Sequence, residues 1–238
     1  GWFAVKIFQL GFDGSLQWIK VYGEEALGYY PGYAGNLNRT NDGNYISAVM
    51  VQDTFGYYKG LLMKFDANGD TLWTRSVGAT GKTEFFNSMV LADGSIMVVG
   101  STNLITSTGA QDAYLLKFDP DGNLLWERDY GGSRRDLFFQ FAQTPDGGFI
   151  CGGLTESYGK GQTDGYLVKT DSLGNMEWQK TFGTTKNDGA TGVTVGPYGE
   201  YYIWGYYDSM ISMSHDYQLF YLYKLDSNGD VLWGKTFP

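Results

Sequence analysis

The chain has 238 residues, a net charge of −9, and 42% hydrophobic and 17% aromatic residues, enough apolar mass for one large folded domain. The acidic balance argues against a nucleic-acid partner, which needs a basic surface, and against simple docking on an anionic membrane; no apolar run reaches the length of a membrane span. With 35 glycines, 19 tyrosines and only 5 prolines, the composition points to short strands joined by tight turns.

Residues 8–18, FQLGFDGSLQW, read as a strand, a turn and a second strand ending in Trp18. The phrase returns as MKFDANGDTLW (63–73), LKFDPDGNLLW (116–126), VKTDSLGNMEW (168–178) and YKLDSNGDVLW (223–233), so the tryptophans at 18, 73, 126, 178 and 233 are 55, 53, 52 and 55 residues apart. A second phrase lies between them: NDGNYISAV (41–49), ADGSIMVVG (92–100), PDGGFICGG (145–153) and PYGEYYIWG (197–205). Each is a turn signal followed by an apolar or aromatic run. A further strand candidate precedes it, as in EFFNSMVLA (84–92) and DLFFQFAQT (136–144).

One period therefore holds four short strands, called a to d in chain order, and no helical periodicity competes. For the third unit the pattern predicts a over about 136–144, b over 148–154, c over either 112–118 of the preceding phrase or 164–170 of its own, and d over 175–182. Four antiparallel strands repeated every fifty-odd residues describe blades of a β-propeller, an all-β fold. The units fall at about 24–78, 79–132, 133–183 and 184–238, and residues 1–23 add a c–d half blade. The expectation is a single propeller domain over 1–238, five-bladed, with four full blades and the N-terminal half.

The recurring residues have local reasons. Asp in the c–d turn bonds nearby backbone N–H groups, and Gly supplies the positive φ. The strand-d Trp is expected to fill the wedge between neighbouring sheets. A basic residue recurs in strand c (Lys64, Lys117, Lys169, Lys224) and two places after the Trp (Lys20, Arg75, Arg128, Lys180, Lys235). The strand-c lysine is expected to lean on the Trp face as blade scaffolding; the alternative is a basic ligand ring. DPDGN, DANGD and DSNGD resemble part of a calcium loop but lack the distal Glu of an EF-type site, so they read as turns. Neither a metal site nor a cofactor is called for.

The string DGYLVKTDSLGNMEWQKTFGTTKNDGA, with PDGGFICGG and DAYLLKFDPDGNLLWERDYGG, resembles the DGG…D-x-Y-L-x-K-x-D-x-x-G-N-x-x-W-x-K-x-x-G-G propeller repeat of secreted and surface-exposed bacterial and archaeal proteins, many of them exported by the type IX secretion system. The resemblance covers nearly the whole chain. It is strongest over 79–183 and weaker over 24–45 and 206–222. It implies a propeller in an extracytoplasmic setting: secreted, at the cell surface, or at the outer membrane. The family has no common catalytic residues to carry over. No basic n-region followed by an apolar h-region is visible, although a mature secreted chain would have lost one.

In such blades the b–c and d–a loops share one end, and their lengths vary, which is where repeat proteins build specificity. That face holds Tyr29, Tyr30, Tyr33, Phe55, Tyr57, Tyr58, Tyr158, Tyr206, Tyr207 and Tyr217, with Arg134, Arg135 and His215 nearby. Tyrosine offers a flat apolar ring with a polar tip, suited to sugars and protein partners; the same rings can also simply pack the loops. Acidic residues recur at the start of strand a, at Glu84, Asp136 and Asp188. They serve either as strand-start anchors for backbone N–H groups or as channel-mouth carboxylates of a glycosidase. His215 beside Asp216 makes a poor dyad, since adjacent strand residues point apart. Cys151, the sole cysteine, reads as a small buried hydrophobe. The expectation is a non-enzymatic binding or scaffold module for a protein or glycan at the cell surface. The alternatives are a glycoside-active enzyme and an accessory subunit of an outer-membrane export or uptake complex.

Overall fold

The computed structural model describes residues 5–22, 28–30, 36–52, 55–78, 81–104, 109–212 and 215–237, without the side chains of 28–30, 208–212 and 215–218. Every described element is a strand. A hairpin, β1 (Val5–Leu10) with β2 (Leu16–Tyr22), precedes four larger sheets. The first contains β3 (Gly28–Tyr30), β4 (Leu37–Arg39), β5 (Tyr45–Gln52), β6 (Tyr58–Phe65) and β7 (Thr71–Val77). The next contains β8 (Thr83–Val90), β9 (Ile96–Thr102), β10 (Asp112–Phe118) and β11 (Leu124–Tyr130). Then come β12 (Asp136–Gln143), β13 (Phe149–Thr155), β14 (Asp164–Thr170) and β15 (Met176–Phe182). The last holds β16 (Asp188–Val195), β17 (Tyr201–Ser212), β18 (His215–Leu225) and β19 (Val231–Phe237). Each of the last three sheets runs through its four strands in sequence order. This is the blade topology that the tryptophan period predicts, and the chain is an all-β propeller.

The first large sheet departs from the pattern. Its strand a is replaced by two short pieces, β3 and β4, which pair separately with β5. In the other three sheets strand a is continuous but shifts register, between Phe85 and Asn87, Phe138 and Gln140, and Ala190 and Gly192. A glycine of strand b faces each shift. A β-carbon at Gly153 would run into the Leu137 carbonyl oxygen, and Gly100 and Gly205 meet Glu84 and Gly189 in the same way. The small residues closing the second repeated phrase are there because the bulged strand comes too close for any side chain.

The chain divides into two compact units, residues 1–105 with 116–127, and residues 106–115 with 128–238. In the first, Val5, Val49, Val51, Leu61, Met63 and Phe65 form a core cluster. In the second, Ile150, Leu167, Val193, Tyr201, Ile203, Tyr221 and Leu225 do. Most of the largest buried rings stand in strands a and c. Tyr114, Tyr166 and Tyr221 recur at one place in strand c and are fully buried, and Phe138 stacks on Tyr166 at 5.7 Å.

The strand-d tryptophans pack against the next sheet, as expected, and do so at its c–d turn; Trp178 also meets Tyr201, with ring centroids 6.1 Å apart. Trp18, Trp73 and Trp178 are half-buried on outer strands, and each lays its ring edge on the c–d turn of the following blade. A β-carbon at Gly122 would lie 2.7 Å from Trp73 Cη2; Gly69 and Gly229 stand in the same relation to Trp18 and Trp178. All three glycines have φ near +80° (79, 80 and 76), so the turn needs glycine for its conformation and for the seat it offers the indole. The basic residue two places on completes this clasp. Lys20 pairs with Asp70 at 2.8 Å and Lys180 with Asp230, and Arg75 donates to the Asp121 carbonyl at 3.1 Å while lying over Trp73.

The strand-c lysines also have a partner that the tryptophan reading did not supply. Lys64, Lys117, Lys169 and Lys224 pair with Asp42, Asp93, Asp146 and Glu200 of their own a–b turns, at 2.7, 3.7, 2.8 and 3.1 Å. Lys64 does approach Trp73, with its ammonium 6.0 Å from the ring centroid, but the carboxylate is the closer neighbour.

Candidate functional site

The varied loops lie where strands b end and strands c begin. In the first unit, Phe55 and Tyr57 are exposed and Tyr58 opens β6. The Lys82 ammonium sits 5.6 Å over the Tyr58 ring and 3.1 Å from Glu84 Oε2, which also accepts from Ser101 Oγ at 3.2 Å. Tyr29 and Tyr30 fall in β3, opposite Val51 and Met50; their side chains lie outside the described residues, as does Tyr33 entirely.

The second unit carries the best-defined surface. Tyr158, 36% exposed, donates from its hydroxyl to the Gly131 carbonyl at 2.5 Å, and its ring lies 5.8 Å from that of Tyr166. Burial first, then the charge of Asp136, raises the Tyr158 hydroxyl above its ordinary range, so it remains a donor. The Tyr166 hydroxyl donates to Gln179 Oε1 at 2.6 Å, and that of Tyr130 to the Gly174 carbonyl at 2.6 Å. These residues, with Arg128 and Asp129, line an open cleft of about 340 Å³ that runs down to the 174–176 turn. Beside it, Arg134 and Arg135 are exposed on a loop fastened at its backbone. The Arg134 N–H donates to Ser157 Oγ at 3.0 Å, Ser157 Oγ donates to Asp136 Oδ2 at 2.6 Å, and the Glu156 N–H donates to the Arg135 carbonyl at 2.8 Å.

Tyr206 and Tyr207 do not join this surface as free rings. Tyr207 stacks 4.6 Å from Tyr221 and shares a hydrogen bond with the Tyr223 hydroxyl, as part of the packing around the core cluster. The Tyr206 ring covers Gly189. His215 and Tyr217 lie in β18 opposite Ser212 and Ser209, with side chains outside the described residues.

The strand-a carboxylates are engaged by loop backbone. Asp136 Oδ2 accepts the Gly132 N–H at 3.0 Å, and Asp188 Oδ2 accepts the Thr184 N–H at 2.5 Å and its hydroxyl at 3.0 Å. Cys151 is fully buried, and that burial pushes its thiol far above the usual range; it has no nucleophilic character. Sequence reasoning did not single out Tyr166, Tyr130 or Gln179. For Tyr166 the signal was present: a tyrosine recurs at one place in strand c, in D-x-Y at Tyr114 and Tyr166 and again at Tyr221.

No family profile matches the chain. A 158-residue stretch, 56% of this chain, is 27% identical to the regulatory protein FlaEY of Caulobacter vibrioides and spans 17% of that protein's length. Among solved structures, an α-L-arabinanase of Penicillium chrysogenum, crystallised with arabinobiose, superposes over 98% of this chain and 70% of its own, with a TM-score of 0.62 at 15% identity. A thermostable family-43 glycoside hydrolase superposes over 84% of this chain and 74% of its own, with a TM-score of 0.52 at 13% identity. At these identities the likeness is one of fold, and it places the chain among the β-propellers.

Proposed function

We propose that this propeller is a non-enzymatic, extracytoplasmic binding module whose loop face takes a glycan. The observation that supports this most directly is the cleft at which Tyr158 and Gln179 reach solvent, over the buried rings of Tyr130 and Tyr166, with exposed Arg134 and Arg135 on the adjoining loop. The flat Tyr158 ring with its polar tip, the planar Gln179 amide and two exposed guanidinium groups match the alternating apolar faces and hydroxyl edges of a sugar chain. The cleft's volume suits one or two sugar rings. The bracing of the Arg134–Arg135 loop through Ser157 and Asp136 pre-forms the surface, which lowers the ordering cost of binding.

The propeller glycoside hydrolases raise the enzymatic alternative. A retaining or inverting pair needs one carboxyl free to protonate a leaving group and another free to attack or to activate water. Asp136 and Asp188 each commit an oxygen to loop donors, which favours anchoring over catalysis. A glycan array followed by calorimetry tests the proposal. Tyr158→Ala and the double change Arg134→Ala/Arg135→Ala are expected to weaken binding of the selected glycan by at least about tenfold, roughly 1.4 kcal/mol, with the fold intact. Unchanged affinity in both variants, or sugar release that Asp136→Asn abolishes, would overturn it.

A further inference from the structure

Where one blade meets the next, strand d of the first reaches across. Its tryptophan lies on the following c–d turn: Trp18 on Gly69, Trp73 on Gly122 and Trp178 on Gly229. The ring four places on meets the following strand c, with Tyr22 6.0 Å from Phe65 and Phe182 5.9 Å from Tyr223. This engagement marks the giving strand. From the tryptophan onward, every second residue of β2, β7 and β15 is half-buried.

One giving face and one receiving face lack that engagement. Trp233, Lys235 and Phe237 repeat the places of Trp178, Lys180 and Phe182, yet β19 is exposed along its whole length. In the β1–β2 hairpin, Gly14 has a φ of 81°, like the seated glycines, but no described atom comes within 4 Å of where its β-carbon would stand. Phe8 and Leu10 are 57% and 51% exposed, whereas Met63 and Phe65, at the same places in the following blade, are 3% and 1% exposed. The two faces are the two halves of one junction. Each keeps large apolar groups in water that the other is shaped to cover.

We propose that the Trp233 and Phe237 face of one copy of this chain docks on the β1–β2 hairpin of a second copy. Trp233 takes the Gly14 turn, and Phe237 packs against Phe8 and Leu10. The occupant is a second copy because the contact repeats a seam that this sequence already makes three times, at Gly69, Gly122 and Gly229. The two patches differ, so the association is head-to-tail and ends in a closed ring of copies or a filament. Its charge component is muted. Asp70 and Asp230 take Lys20 and Lys180, but a serine, Ser15, stands at their place in the hairpin turn. Apolar burial therefore carries the contact, and salt leaves it standing.

Sedimentation and light scattering of the whole chain over a wide concentration range test this. The mass is expected to rise with concentration from that of one chain to that of two or more, at low and high salt alike. Phe237→Asp and Leu10→Asp each change an exposed side chain, and each is expected to hold the protein at the mass of one chain with its melting temperature kept. Direction is read by a short bismaleimide cross-linker. It is expected to join Ser15→Cys chains to Lys235→Cys chains when the two are mixed, and to join neither variant to itself; Cys151 is fully buried and stays unlabelled. The wild-type measurement needs no variant, so the test holds even if a substitution prevents folding. A wild-type chain that stays single at every concentration sinks the proposal. So does association that survives in both folded aspartate variants, or cross-linking of Ser15→Cys chains to one another.

Discussion

The ammonium of Lys169, a residue only 2% exposed, is held by Asp146 at 2.8 Å, Glu177 at 2.9 Å and the Thr170 carbonyl at 2.8 Å. Burial works against its charge, but the hydrogen bonds to Asp146 and Glu177 outweigh that and raise its pKa. Burial also pushes Asp146 upward, yet Lys169 and the Thr144 hydroxyl pull it down to about 2. A carboxylate depressed in the folded state adds stability above its unfolded pKa, 3.8, and loses it as pH falls toward 2. Lys169→Met is therefore expected to cost on the order of 2 kcal/mol at neutral pH in urea unfolding, less than a fully enclosed pair because both acids reach solvent. The variant should also show a flatter loss of stability between pH 4 and 2 than wild type. The repetition of this lysine was legible in the sequence, and so was its place in the scaffold. Its partner was legible too: an acid stands 22 to 24 residues before each one. Across the hairpin Lys169 faces Trp178 in register, but its ammonium is held by the acids.

Among elements, the contact of β12 with β13 shows how one atom sets strand spacing. Gly152→Ala would bring its new methyl to 3.5 Å from the Val193 side chain, ordinary packing, whereas Gly153→Ala would drive one into the Leu137 carbonyl. Overpacking against backbone typically costs about 1–3 kcal/mol and sometimes more. Thermal unfolding should show Gly153→Ala strongly destabilised or unfolded, and Gly152→Ala close to wild type. The tryptophan clasp makes a second comparison. Trp178 lies on the Gly229 turn, while Trp233 is 39% exposed and has the Tyr202 ring edge-on at 6.3 Å. Trp178→Ala should cost about 2–3 kcal/mol and Trp233→Ala clearly less, measured side by side in denaturant. Strands and turns could be read from alternation and D-x-x-G chemistry because both are local rules. The split of strand a into β3 and β4 was not readable, since GEEALGYYPGYAGNLNR carries no periodic signal and its pairing depends on β5. Nor was the fate of Tyr207, which is decided by Tyr221 and Tyr223 on the neighbouring strand.

For the molecule as a whole, a charge of −9 sets a repulsive background for polyanions, with Arg134 and Arg135 a small local exception. A neutral oligosaccharide bound through rings and hydroxyls should hold its affinity from low to high salt, because screening acts on charge pairs. A steep salt dependence in calorimetry would point to an acidic ligand seated on the arginines instead. The period of the tryptophans was enough to foresee the blades, while the choice of ligand rests on loop surfaces that no repeat dictates. The clasps of Trp18, Trp73 and Trp178 each run from one blade's indole to the next blade's turn, in a single direction along the chain. A gene that gains or loses one whole period therefore gains or loses a tongue and a matching groove together, so such arrays can lengthen or shorten over evolution without any seam being invented anew.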